Sequence, residues 1–175
     1  MPIVKHRTHR TAGVALLEAL IAIAILTGAL LALLYLQLRT QADTESTLRR
    51  AQAMHLIDDL AERIRTNPSG FDELASYRSD WGTAPSAAID CQVQSCGPAH
   101  LARWDLAQWK ANVAQSLPKG DAMVFDPPDL PAGTPRRMLA VMVGWHVRSG
   151  DSFELVVPGA SCPTGHVCQF GHVQP

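Results

Sequence analysis

No charged residue occurs between Ala19 and Leu38. An uncharged run of that extent excludes a solvated surface element, because about 20 apolar residues span the hydrocarbon of a bilayer at about 1.5 Å per residue. Acidic residues are missing ahead of the run, where Lys5, Arg7 and Arg10 stand, whereas Arg39 beyond it is soon followed by Asp43 and Glu45. The positive-inside rule then places residues 1–13 in the cytoplasm and the remainder outside. Proline and glycine are missing from residues 40–66, so nothing interrupts a helix there. Also missing are Gly-x-Ser-x-Gly, a Walker loop and His-Glu-x-x-His, and no local context selects a Ser, His and Asp triad, so no enzyme and no cofactor are expected. Loss of Lys5, Arg7 and Arg10 reduces 15 basic residues to 12 against 16 acidic, a formal net charge of −4. That excludes a general nucleic-acid footprint, and Arg136-Arg137 is a small solvated patch.

What is present is a basic leader, Gly13, and then Val14-Ala15-Leu16-Leu17-Glu18 opening the apolar run. A carboxylate deep in hydrocarbon costs on the order of 3 kcal/mol on insertion scales, and less near an interface. Glu18 sits close to the cytoplasmic end, so a membrane form is tolerable and the acid calls for a role.

Gly13 followed by four apolar residues and Glu18 resembles the processing site of type IV prepilins and secretion pseudopilins. The resemblance implies that a prepilin peptidase cuts between Gly13 and Val14 and methylates the new amino terminus at Val14. Glu18 becomes the fifth mature residue; Val14 stands where the family usually has phenylalanine. A free α-amino group has a pKa of about 7.7–8.0, so a terminus at Val14 is largely cationic at neutral pH. Glu18 of a neighbouring subunit neutralises it in an apolar filament core, which makes Glu18 the subunit-docking residue. Two blander readings share the layout. A cleaved secretory signal is also basic then apolar, with small residues such as Ala22 and Ala24 as a mimic of its cut site, but this run is long and carries a glutamate. A plain single-pass anchor explains the run and leaves Gly13 and Glu18 as accidents.

Beyond the run, Ala53, Ile57, Leu60 and Ile64 recur at helical spacing with Leu56 alongside, while Asp58, Asp59, Glu62, Arg63 and Arg65 take other faces. Asn67-Pro68-Ser69-Gly70 stops the helix. One helix over residues 14–66 is expected, roughly 80 Å long at 1.5 Å per residue, with Thr27-Gly28 as its weak point. The stretch from Met54 to Pro68, closing on Arg65-Thr66-Asn67-Pro68, is similar to the helix end of PilV-type minor pilins.

Residues 68–175 make a small domain with one modest core. Residues 71–100 read as loops with little strand. Asp105 is expected to cap a second helix carrying Leu106, Trp109, Val113 and Leu117 on one face, ended by Pro118 and Gly120. This resembles the tryptophan-bearing segment of PilV-type chains. Residues 123–125 read as a short strand before a Pro-rich loop over residues 126–135. Residues 138–148 alternate Val141, Val143, Trp145 and Val147 on one face, and Ser149-Gly150-Asp151 turns into a strand over residues 152–157, giving a meander of antiparallel strands. The fold class expected is α+β: a pilin-like fold whose long helix, its hydrophobic half protruding, packs on a small antiparallel sheet. Its parts are a leader (1–13), a membrane or filament-core half-helix (14–38), an amphipathic half-helix (39–67) and a periplasmic domain (68–175).

Four cysteines fall outside the membrane on this topology, which favours disulfides. Local pairing of Cys91 with Cys96 and of Cys162 with Cys168 is the first expectation, among the three connectivities four cysteines allow. The resemblance implies a carboxy-terminal disulfide loop over residues 162–168 at the exposed surface. With His166 and His172 these cysteines also suggest zinc, but their spacing is wrong for a paired Cys-x-x-Cys site and no metal is expected. His55 reads as a helix-surface or packing residue.

The sequence reads as a minor pilin of a type IV pilus, similar to the PilV type. The resemblance implies other minor pilins, the major pilin, prepilin peptidase and the inner-membrane assembly machinery as partners. It implies an inner-membrane precursor that moves to the pilus, with consequences for twitching motility, adhesion and DNA uptake. The alternatives are a minor pseudopilin of type II secretion and a non-polymerising membrane-anchored periplasmic protein.

Overall fold

A computed structural model describes residues 12–83, 85–87, 89–127, 138–147 and 155–174. The chain divides into two units, Met1–Ser46 and Thr47–Pro175. Helix α1 covers Ala12–Thr66 without a break. In the first unit α1 is the only described element, and none of its residues from 14 to 46 is buried. The Thr27 hydroxyl donates to the Ala24 carbonyl at 2.9 Å. That bond satisfies the hydroxyl locally, and the helix continues through Gly28.

The second unit is α+β. Ala53, Leu56, Ile57, Leu60, Ala61 and Ile64 of α1 are all buried, one stripe at the spacing read from the sequence. Each large aliphatic side chain removed from water contributes about 1.5–3 kcal/mol. The helix ends where Pro68 cannot supply an N–H. The Asn67 N–H makes the last helical bond to Arg63, at 3.2 Å, and Gly70 then donates to the Asn67 carbonyl at 2.9 Å. A Cβ at Gly70 would lie 2.0 Å from the Ile64 carbonyl oxygen, so no side chain fits this turn. A 3-10 turn at Leu74–Tyr77 follows.

Helix α2 spans Pro98–Ser116. The expected start at Asp105 is corrected: Gly97 is the extended N-cap, Pro98 opens the first turn, and Asp105 lies inside the helix. Proline suits that position because its missing N–H would be unpaired there anyway. Leu106, Trp109 and Val113 form the buried face as expected, and Leu117 is the buried C-cap.

Strands β1 (Asp121–Phe125), β2 (Leu139–His146) and β5 (His166–Val173) form an antiparallel sheet in the order β1-β2-β5. Strands β3 (Val156–Val157) and β4 (Ala160–Ser161) make a separate two-stranded hairpin. The expected meander is therefore corrected. The valines at 156 and 157 pair with Ala160 and Ser161, and β2 instead matches all eight residues of β5, from Leu139↔Val173 to His146↔His166. The expected turn at Ser149-Gly150-Asp151, the leader, Arg136-Arg137 and most of the Pro-rich loop lie outside the described residues.

Both sheet faces are covered. Ala122, Val124, Leu139, Val141, Val143, Trp145, Val167 and Val173 join α1 and α2 in the main core. Phe125, Ala140, Met142, Cys162 and Cys168 form a second, smaller cluster with Trp81, Met123, Leu155 and Phe170 on the other face.

Candidate functional site

In the first unit the candidate residues occupy the start of α1. Gly13 lies in its first turn, and Val14 and Glu18 are one helical turn apart. Positions four apart on a helix are surface neighbours, so the carboxylate and the backbone nitrogen of Val14 share one end of the rod. Val14 is 70% exposed, and the large apolar residues from Leu16 to Leu38 are exposed on every side of the helix. A helix that is apolar all round is stable only with an apolar surrounding, a bilayer or other helices. α1 is long and apolar enough to cross a membrane.

In the second unit the end of α1 carries a polar cluster. Arg63 Nε contacts Asp59 Oδ2 at 3.1 Å and its guanidinium reaches Asp105 Oδ1 of α2 at 3.6 Å. Asp105 is only 7% exposed. Burial pushes its carboxyl above the ordinary carboxylate value, and the Arg63 charge pulls back against that shift. Asn67 Nδ2 donates to the Tyr77 hydroxyl at 3.2 Å and to the Pro98 carbonyl at 3.0 Å, and Asn67 Oδ1 accepts from the Ser69 N–H at 3.2 Å. Burial drives Tyr77 up to about 12. Asn67 thus ties the end of α1 to the 3-10 turn and to the first residue of α2. Trp109 Nε1 adds a bond to the Leu56 carbonyl at 2.6 Å. The cluster contains no nucleophile beside a base; its geometry fixes three elements together.

Asn67 carries a signal in the sequence, as part of the Arg65-Thr66-Asn67-Pro68 helix end and of the helix stop. Tyr77 and the buried position of Asp105 left no comparable signal. His55 is on the exposed side of α1, as a surface residue.

Cys91 and Cys96, each half-buried, are joined with Cα atoms 5.5 Å apart in the largely exposed loop before α2. Cys162 and Cys168 are joined with Cα atoms 5.9 Å apart. The two cysteines themselves are buried, 8% and 6% exposed, while Thr164 within the loop they close is exposed. Cys168 belongs to β5, which holds it against Gly144 and Trp81 on the smaller cluster. With all four sulfurs bonded in pairs, no thiolate is left for a metal. Among the described residues no group of three His, Cys, Asp or Glu side chains is placed to hold one.

A family model described as Tt1218-like, Type IV pilin Tt1218, matches residues 35–107. This supports the type IV pilin superfamily. The matched stretch starts at Tyr35 in the apolar part of α1 and ends in α2, so it contains the Asn67 cluster but neither Gly13 nor Glu18. The pilin match and the amino-terminal motif are therefore separate observations. No curated protein and no solved structure matches the chain.

Proposed function

We propose that this pilin is a minor subunit of a type IV pilus, similar to the PilV type. It is made as an inner-membrane precursor, cut between Gly13 and Val14, methylated at Val14, and assembled with other minor pilins into a complex that primes the fibre. The observation that carries the reading is the position of Gly13, Val14 and Glu18 at the head of a helix segment that is apolar on all sides. Residues 1–13 serve as the leader, residues 14–38 as the membrane and filament-core segment, and residues 39–67 join it to the periplasmic domain, residues 68–175. Cleavage creates a cationic terminus in an apolar setting, and the carboxylate of Glu18 on the adjacent subunit is its counter-charge. Removing one member leaves the other buried and unpaired, which costs about 3–5 kcal/mol. Replacement of Glu18 is therefore expected to abolish assembly while leaving cleavage intact.

Intact mass of the protein from cells with and without prepilin peptidase tests the reading. The expected species begins at Val14, is heavier by one methyl group than the bare chain, and depends on the peptidase. An uncut chain in both strains overturns it in favour of a plain anchor. A deletion strain that keeps its pili and loses exoprotein secretion moves the chain to the pseudopilins of type II secretion.

A further inference from the structure

Backbone hydrogen bonding distinguishes the two edges of the three-stranded sheet. The Val147 N–H donates to the Gly165 carbonyl at 3.3 Å, one step beyond the His146↔His166 pair in the β2–β5 register. Antiparallel pairs alternate between bonded and non-bonded positions, so Val167, Gln169, Gly171 and Val173 bond to β2. Cys168, Phe170 and His172 turn their N–H and C=O groups the other way, outward. On the opposite edge the same alternation turns Val124 outward, and there Val124 exchanges two bonds with Ser79, at 3.0 and 2.8 Å. The adjacent Ala122 N–H is taken by Asp121 Oδ1 at 2.7 Å, and Lys110 pairs with the same carboxylate at 3.1 Å.

The β1 edge is thus closed and charged, while the β5 edge has no strand beside it among the described residues. At its start the preceding loop attends it: the His166 N–H donates to the Pro163 carbonyl at 3.1 Å and the Cys162 sulfur meets the His166 carbonyl at 3.4 Å. Farther along, the Gln169 side chain donates to the Phe170 carbonyl at 3.3 Å. The strand reads His-Val-Cys-Gln-Phe-Gly-His-Val, with no lysine, arginine, acid or proline. From Cys168 onward the edge has neither the charges nor the proline that usually keep another strand away.

The ground next to this edge has a definite chemistry. An open groove of about 890 Å³ lies along the β5 edge beside α1, lined by Ile57, Asp58, Ala61, Glu62 and Arg65 of the helix and by His172 of the strand. Glu62 and Asp59 contact Arg65 and Arg63, whereas Asp58 has no cationic partner among the described residues. On the other face of β5 the Phe170 and His172 rings meet edge to face with centroids 4.8 Å apart.

We propose that β5 is a docking strand. It accepts an extended segment of a neighbouring pilus subunit through main-chain bonds to Cys168, Phe170 and His172. Strand addition draws affinity from the main chain and specificity from alternate side chains. The incoming strand therefore carries an apolar side chain against the Phe170 and His172 rings, and on its other face a lysine or arginine that meets Asp58. The proposal rests on the pilin reading above.

Residue-resolved amide hydrogen exchange on the full processed chain, alone in detergent and in the minor-pilin complex purified from cells, tests it. Alone, the amides of Cys168, Phe170 and His172 are expected to exchange fast, and those of Val167, Gln169 and Gly171 slowly. In the complex the outward three are expected to slow by about tenfold or more, as paired strand amides do. Slow exchange of the outward amides in the isolated chain means its own residues cover the edge and overturns the proposal. Fast exchange in the complex overturns it equally. Asp58→Lys, a surface change that keeps the inward amides slow, is expected to reduce recovery of the complex; undiminished recovery overturns the charge match. Intact mass of the same samples separates the two readings. A chain cut at Gly13 and assembled with fast outward amides sinks only the docking strand, and an uncut chain sinks both.

Discussion

Gly144 shows how little room the smaller core allows. A Cβ there would stand 3.1 Å from Cys168 Sγ and 3.3 Å from two ring atoms of Trp81. Neither neighbour yields easily, one being tied by a disulfide and the other packed on the sheet. Gly144→Ala is expected to cost about 1–3 kcal/mol by overpacking, read as a lowered midpoint in denaturant unfolding. Asp105 makes a prediction of the other kind. Its folded pKa is raised above the ordinary 3.8 by burial, so the folded state binds the proton more tightly than the unfolded chain does. The stability this contributes is complete below the unfolded value and is lost as pH rises through the raised folded value. Stability of the native chain relative to Asp105→Asn is therefore expected to fall over that window and then level off. A difference independent of pH between acid and neutral conditions would show that Asp105 is not held in this state.

Among the elements, α1 and α2 depend on each other through Trp109, which is fully buried and bonded to the Leu56 carbonyl. Trp109→Ala is expected to cost about 3–5 kcal/mol, and the same unfolding measurement checks it; a change within error would mean that the α1–α2 contact contributes little. Local pattern made α1 legible in the sequence, since a missing charge, a missing proline and the recurrence of Ile57, Leu60 and Ile64 all point one way. The buried face of α2 was legible for the same reason, but its start was not. Gly97-Pro98 has the composition of a loop and also of a helix opening, and Asp105 competes as a cap in sequence while it is an interior residue in space. Strand β5 was unreadable because the face it turns to the smaller cluster carries His166, Cys168, Phe170 and His172, which hide the alternation. Its pairing with β2 joins positions 20 to 34 residues apart, and no local signal fixes such a partner. At the site, Gly13 and Glu18 were legible as a spacing, whereas the Asn67, Tyr77 and Asp105 cluster exists only after three elements meet.

For the molecule as a whole, the two units lead to separate expectations. The second holds every buried hydrophobic residue described, so a chain beginning at Thr47 is expected to unfold cooperatively, as seen by tryptophan fluorescence; a broad, probe-dependent transition would show that the first unit is needed. The two disulfides are expected to open in order under mild reductant, half-buried Cys91–Cys96 before buried Cys162–Cys168, because exchange requires access to sulfur. Differential alkylation followed by mass measurement reads that order. The pairing of β2 with β5 also sets a timetable. The middle strand of the sheet is synthesised with β1 already behind it, but its second neighbour follows only after the β3–β4 hairpin has been made. Until Val173 has emerged, β2 is itself an open border, and the cysteine at 168 that locks the smaller core has yet to reach its partner. The domain is completed from its late end, and a translation stop anywhere before His166 leaves the centre of the sheet unfinished.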